Sequence, residues 1–299
     1  MEQRKRNPLW LFTTLLFVSC IIPALILNDR VSRSLAVEAE INEAVDAIPE
    51  AWSPRPADGV LCEAKTQPKT GRLAPGDLVL IMDDVGYGSS ALEVLADSGM
   101  KLNFAVLPKS PRAIPEAEFV YNRGHEVLLH IPMEPIVPGE DPVKAGAVMT
   151  YLTDEEIRDI VTEHIEMIPF ALGANNHMGS QATRNKRVMR AVLSVLGEHG
   201  MYFIDSMTTH DSVSGSVASE LGVKFAQNKV FIDNRKDLQY IKGQILYAAR
   251  MSLRFPGYIA IGHVHPVTAE ALIQTKDELD AMGVRLLYLT ELFELMRSE

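Results

Sequence analysis

The chain has 299 residues, 47% of them hydrophobic and 23% charged, the make-up of an ordinary globular protein with room for one large α/β core. A formal net charge of −10 argues against a nucleic-acid partner, which needs a basic face. Only two cysteines are present, Cys20 and Cys62, so a thiolate ligand set is excluded and any metal must be held by imidazoles and carboxylates.

The chain opens like a membrane segment. Arg4, Lys5 and Arg6 precede residues 8–27, an uncharged run of about one bilayer span. The basic flank predicts a cytoplasmic tail over 1–7, an anchor over 8–27 and export of everything that follows. That pattern describes a single-pass inner (cytoplasmic) membrane protein whose C-terminal domain lies in the periplasm or outside the cell. A cleaved signal peptide is the alternative, but the small residues at 36–39 sit far beyond the apolar run. Residues 28–75 are rich in Pro, Gly and small polar residues and read as a tether.

From residue 76 to 299 the pattern is regular. Strand-like runs occur at 78–82, 102–107, 126–131, 171–176, 202–205, 223–226, 258–263 and 284–289. Helix-like stretches fall at 89–98, 112–123, 153–168, 185–199, 236–254 and 267–282. Thr153 and Glu156 have capping-box spacing, and Gly99, Gly124, Gly200 and Gly283 are placed to end helices. Alternation of this kind predicts parallel strands covered by helices: a distorted (β/α) barrel of about seven strands, with a doubly wound open sheet as the competing architecture.

In parallel α/β folds the site lies at the carboxyl ends of the strands, and here those ends are polar. The first carries Asp83 and Asp84, the third His130, the fourth Asn175, Asn176 and His177, the fifth Asp205, and the last of the set His263 and His265. Asp233 follows the apolar pair 231–232. A lone acid after a strand is commonly a turn or a helix cap. A set of imidazoles and carboxylates without thiolates instead suits Zn²⁺ or a similar divalent ion. Neighbours on a strand face opposite ways, so Asp83 and Asp84 share a site only if the strand ends there, a turn that Gly86 and Gly88 permit. One of the pair then binds metal while the other takes a proton from water. His125 reads as a turn residue, and His164 and His199 as surface or packing residues on helices. A receiver-like signalling domain fails because His130 stands where a phospho-acceptor Asp is needed. An Asp-x-Asp phosphatase fails at Val85, and no phosphate-binding glycine loop is present.

Six motifs in order, "IMDDVGYG", "GHEVLLHIPMEP", "NNHMGS", "FIDS", "FIDN" and "AIGHVHP", resemble the divergent polysaccharide deacetylase family over about residues 76–296. The resemblance implies Asp83 as catalytic base and Asp84 as metal ligand. It matches His130 to the first ligand of a His-Ser/Thr-x-x-His motif whose second His is replaced by Glu134, so the third ligand is His177 or Glu134. It makes His263, or His265, the acid that protonates the leaving amine. Glu134, Asn176, Asp205 and Asp233 complete the rim as substrate-binding candidates, and Met207 stands where the branch carries Arg. The implied reaction is hydrolysis of an N-acetyl group on an envelope glycan such as peptidoglycan, with divalent Zn as cofactor. The altered motif also admits a domain that binds glycan or an envelope protein without turnover.

Overall fold

A computed structural model describes residues 71–137 and 146–297. The expected tail, anchor and most of the tether lie outside the described residues. Among those described, no helix is long and apolar enough to cross a membrane.

Nine strands form one sheet: β1 (Asp77–Val85), β2 (Asn103–Val106), β3 (Glu126–Met133), β4 (Gly173–Met178), β5 (Tyr202–Asp205), β6 (Phe225–Gln227), β7 (Val230–Phe231), β8 (Tyr258–His263) and β9 (Arg285–Leu286). The helices are α1 (Ala91–Ala96), α2 (Ala113–Tyr121), α3 (Asp154–Met167), α4 (Lys186–Glu198), α5 (Ser214–Leu221), α6 (Leu238–Arg254), α7 (Pro266–Ala281) and α8 (Leu289–Met296). The strand order is β6-β5-β4-β3-β2-β1-β8-β7, with β9 beside the start of β1, and every pair is parallel. This is a parallel-strand half-barrel, consistent with the distorted (β/α) barrel expected, with eight strands on its path rather than about seven.

Period-two patterning divides the strands between two cores. Leu78, Leu80, Met82, Phe104, Val127, Leu129, Ile131, Ala174 and Phe203 face outward into the layer of helices. Val79, Ile81, Ala105, Leu128, Tyr202, Ile204, Ile259 and Ile261 face inward. The inner face is closed by the C-terminal segment, whose Leu287, Leu289, Leu292, Phe293 and Leu295 are buried against it. The start of the barrel is tied by polar contacts. Asp77 takes two bonds of 2.7 Å from Arg285, and Asn103 reaches the backbone of Leu80, Leu287 and Leu289. Glu126 is hydrogen-bonded by Tyr202 and Thr290.

The run 284–289, expected as a strand, pairs with β1 only at Arg285–Leu286. Beyond it the chain starts α8, with the Tyr288 amide donating to Glu291 at 3.0 Å. The helix α5 was not expected. Its Ser- and Gly-containing sequence lacks a strong apolar period, and it is held by packing of Val217 and Ala218. The Thr153–Glu156 capping box forms, with the Glu156 amide donating to Thr153 Oγ1 at 3.2 Å and the Thr153 amide to Glu156 Oε2 at 2.8 Å.

Candidate metal centre

The same alternation that fills the inner core delivers the polar residues. Continuing each inward row by one rung past Ile81, Leu128 and Ile261 gives Asp83, His130 and His263. On β4, Asn175 and His177 occupy the row that Ala174 does not. Register confirms the neighbourhood: Asp83 pairs with His263, His130 with Asn175, and Pro132 with His177. These residues crown the inner core at the carboxyl mouth of the half-barrel.

Parity alone would turn Asp84 outward. The register of β1 against β2 moves from Met82↔Phe104 to Val85↔Val106, so β1 carries one extra residue over this stretch. Asp84 takes that slack in a left-handed conformation, φ +63°. The two acids therefore share a site through a bulge within the strand, not through its termination. The turn that follows depends on Gly86, whose φ is +130° and where a Cβ would fall 1.8 Å from Ser110 Oγ. Its amide donates to Glu116 Oε2 at 2.8 Å, which fixes the loop. Among the described residues the other two non-glycine positions with positive φ, Met178 and Met207, also stand at or just past strand ends on this rim.

Asp84 Oδ1 lies 3.3 Å from His130 Nε2 and 3.1 Å from His177 Nδ1, and those two nitrogens are 3.1 Å apart. Two ligand atoms held tetrahedrally at about 2.1 Å from one ion lie about 3.4 Å apart, so the triangle has the edge lengths of a ligand set. Asp84 Oδ1 is buried yet takes no well-aligned hydrogen bond, as expected of an atom reserved for a cation. Asp84, His130 and His177 are thus three donors of the types that suit zinc, on one edge of the mouth. Burial opposes the charge on Asp84, but the His130 and His177 imidazoles outweigh it and hold the carboxyl far below the usual range.

Asp83 is set apart from this triangle. Asn175 Nδ2 donates to its Oδ1 at 2.8 Å, and its Oδ2 is 3.7 Å from His130 Nε2. Burial pushes the Asp83 carboxyl up, against the pull of His130 and His263. On the far side, His263 Nε2 is 4.0 Å from Asp84 Oδ2. Asp233 grips His263 twice, accepting from its amide at 2.7 Å and lying 2.8 Å from its Nδ1, while Thr268 donates to Asp233 at 2.8 Å. Burial alone would lower the His263 pKa. The Asp233 bond and charge, with Asp83 and Asp84 adding to them, raise it to about 9. His265 stacks on His263 with ring centres 5.7 Å apart, and burial lowers its pKa.

The remaining candidates stand elsewhere. Glu134, the alternative third ligand, accepts from the Thr150 amide at 2.6 Å and is not part of the triangle. Asn176 spends its side chain on the Met178 carbonyl and the Ser206 amide, which ties β4 to β5. Asp205 accepts from the Met207 amide and the Ser212 hydroxyl, inside its own loop. Asp233 faces His263 rather than the open cleft. Asn175, which the sequence reading named only as part of a strand end, turns out to join Asp83 to His130. Its place two residues before His177, on the same face, was the signal available.

Comparison with known proteins agrees with this architecture. Escherichia coli K12 YibQ, an uncharacterised protein, is 35% identical over 199 residues, 67% of this chain and 62% of that one, so the match spans less than two thirds of the relative. An uncharacterised Haemophilus influenzae protein is 28% identical over 199 residues, 67% of this chain and 70% of that one. In fold the chain is similar to an uncharacterised protein from Agrobacterium tumefaciens C58, with TM-score 0.66 and 17% identity over 71% of this chain and 86% of the other. The family model described as divergent polysaccharide deacetylase matches residues 80–293, every strand end described above among them, and the chain belongs to that family.

Proposed function

We propose that the domain is a metal-dependent amide hydrolase that removes N-acetyl groups from an envelope polysaccharide such as peptidoglycan, held at the membrane by residues 8–27 and working on the exported side. One observation carries the reading: the Asp84–His130–His177 triangle is flanked by a buried carboxylate, Asp83, and by an Asp233-bound imidazole, His263. Asp84, His130 and His177 would hold a divalent ion, which would supply Lewis acidity toward the acetyl carbonyl and water. Asp83, made more basic by burial, takes the proton from the attacking water. His263, kept protonated by Asp233, gives its proton to the departing sugar amine. His265 supports His263 by stacking on it.

The test is acetate release from an N-acetylated glycan by the zinc-loaded full chain. Release above a boiled control, lost in D83N, is the expected result; no release sinks the proposal. A second reading, a glycan-binding domain without turnover, is favoured by two observations: Glu134 stands in place of the second motif His with its carboxylate committed to Thr150, and Met207 offers no cation to substrate. Saturable glycan binding without acetate would select it.

A further inference from the structure

Asn175 is completely buried on the inward face of β4, in register with His130. Its Oδ1 is 2.7 Å from His130 Nδ1, and its Nδ2 donates to Asp83 Oδ1 at 2.8 Å. An amide oxygen only accepts, so the proton of this bond belongs to His130 Nδ1. In the neutral form, the one that can ligate a metal, His130 Nε2 then carries the lone pair, and Nε2 is the atom that faces Asp84 and His177. The carboxamide has no second orientation of equal merit, because turning it over sets its oxygen against the Asp83 carboxylate. An isolated imidazole in water prefers the opposite tautomer, with the proton on Nε2. That form would block the ligand atom.

We propose that Asn175 is a positioning residue that serves both halves of the site through one amide group: it locks His130 in the Nδ1–H tautomer so that Nε2 is ready to ligate a divalent ion, and it holds the Asp83 carboxylate in place beside that ion. The proposal rests on the reading of Asp84, His130 and His177 as a metal centre. The two ends of the amide do separable work. An ionised aspartate at 175 still accepts from His130 Nδ1–H but sets a second carboxylate, in place of a donor, against Asp83. A leucine of similar shape does neither.

The experiment compares the metal-free full chain, labelled with ¹⁵N-histidine, as wild type, N175D and N175L, alongside zinc affinity by chelator competition and acetate release. The His130 signal is assigned by its loss in H130Q. Wild type and N175D are expected to show His130 protonated on Nδ1, and N175L protonated on Nε2. N175L is expected to bind zinc about 10–100-fold more weakly, the usual cost of removing an outer-shell partner, while N175D keeps the wild-type affinity but loses acetate release. An unchanged tautomer and affinity in N175L overturn the proposal. Should N175L fail to fold, N175A takes its place, and N175D remains an independent arm. A wild type that binds no zinc defeats the metal reading alone, and the tautomer comparison still decides the role of Asn175.

Discussion

Asp83 and Asp84 are adjacent in sequence and opposite in electrostatics. Asp83 is buried and Asp84 half-buried; Asp84 meets two imidazoles and stays ionised, while Asp83 is dominated by its own desolvation and becomes the stronger base. That division of labour rests on the third corner of the triangle, which the altered motif leaves to His177 or Glu134. Zinc titration distinguishes them. H177A is expected to weaken binding by more than the roughly 10–100-fold that outer-shell changes cost. E134Q is expected to leave it near the wild-type value, and the reverse order would move the ligand to Glu134. The acids and imidazoles were readable from sequence because they recur as a set at the carboxyl ends of several strand-like runs. Their assembly was not. The turning of Asp84 needs a one-residue register shift against β2, and no local pattern in β1 encodes a partner's register.

The inner strands end in chemistry at one end and in the C-terminal segment at the other, so β9 and α8 determine whether the mouth has a rigid floor. Phe293 is buried in this floor, its ring 5.1 Å from that of Tyr202. Truncating it leaves a cavity under the sheet, and F293A is expected to cost about 3–5 kcal/mol in urea unfolding. A loss below about 1 kcal/mol would mean that the segment only lies over the sheet. Most elements were legible from period and punctuation: α3 from its capping box, α4 from its apolar stripe, α7 from the Gly283 that closes it. Errors fell where apolar runs were short. The run 284–289 reads equally as strand or helix, and the fourth strand begins and ends two residues later than expected, which is how His177 comes to lie within it. The short α5 depends on tertiary packing that its own sequence does not announce.

Folding of the whole domain also encloses His164, which is fully buried on α3 with no partner for either ring nitrogen. Burial, with Lys109 beside it, lowers its pKa from 6.5 to about 4. Between those values the unfolded chain binds a proton that the folded chain refuses. Stability from this group is therefore complete above pH 6.5 and declines as pH falls toward 4. By pH 5 the loss is about 2 kcal/mol. H164L is expected to lose less stability than the wild type between pH 7 and pH 5, as measured by urea midpoints; equal losses would mean that His164 takes its proton in the fold. At this same scale the half-barrel is solid. The leucines and Phe293 that rise from below occupy the space that a hollow barrel would offer to a threaded chain. Anything processed at the mouth must be laid across it sideways, and a polymer presented that way has no use for its termini. For the proposed reaction, a glycan with both ends chemically blocked is expected to release acetate as readily as an unblocked one, and a strict requirement for a free end would show that the chain enters by another route.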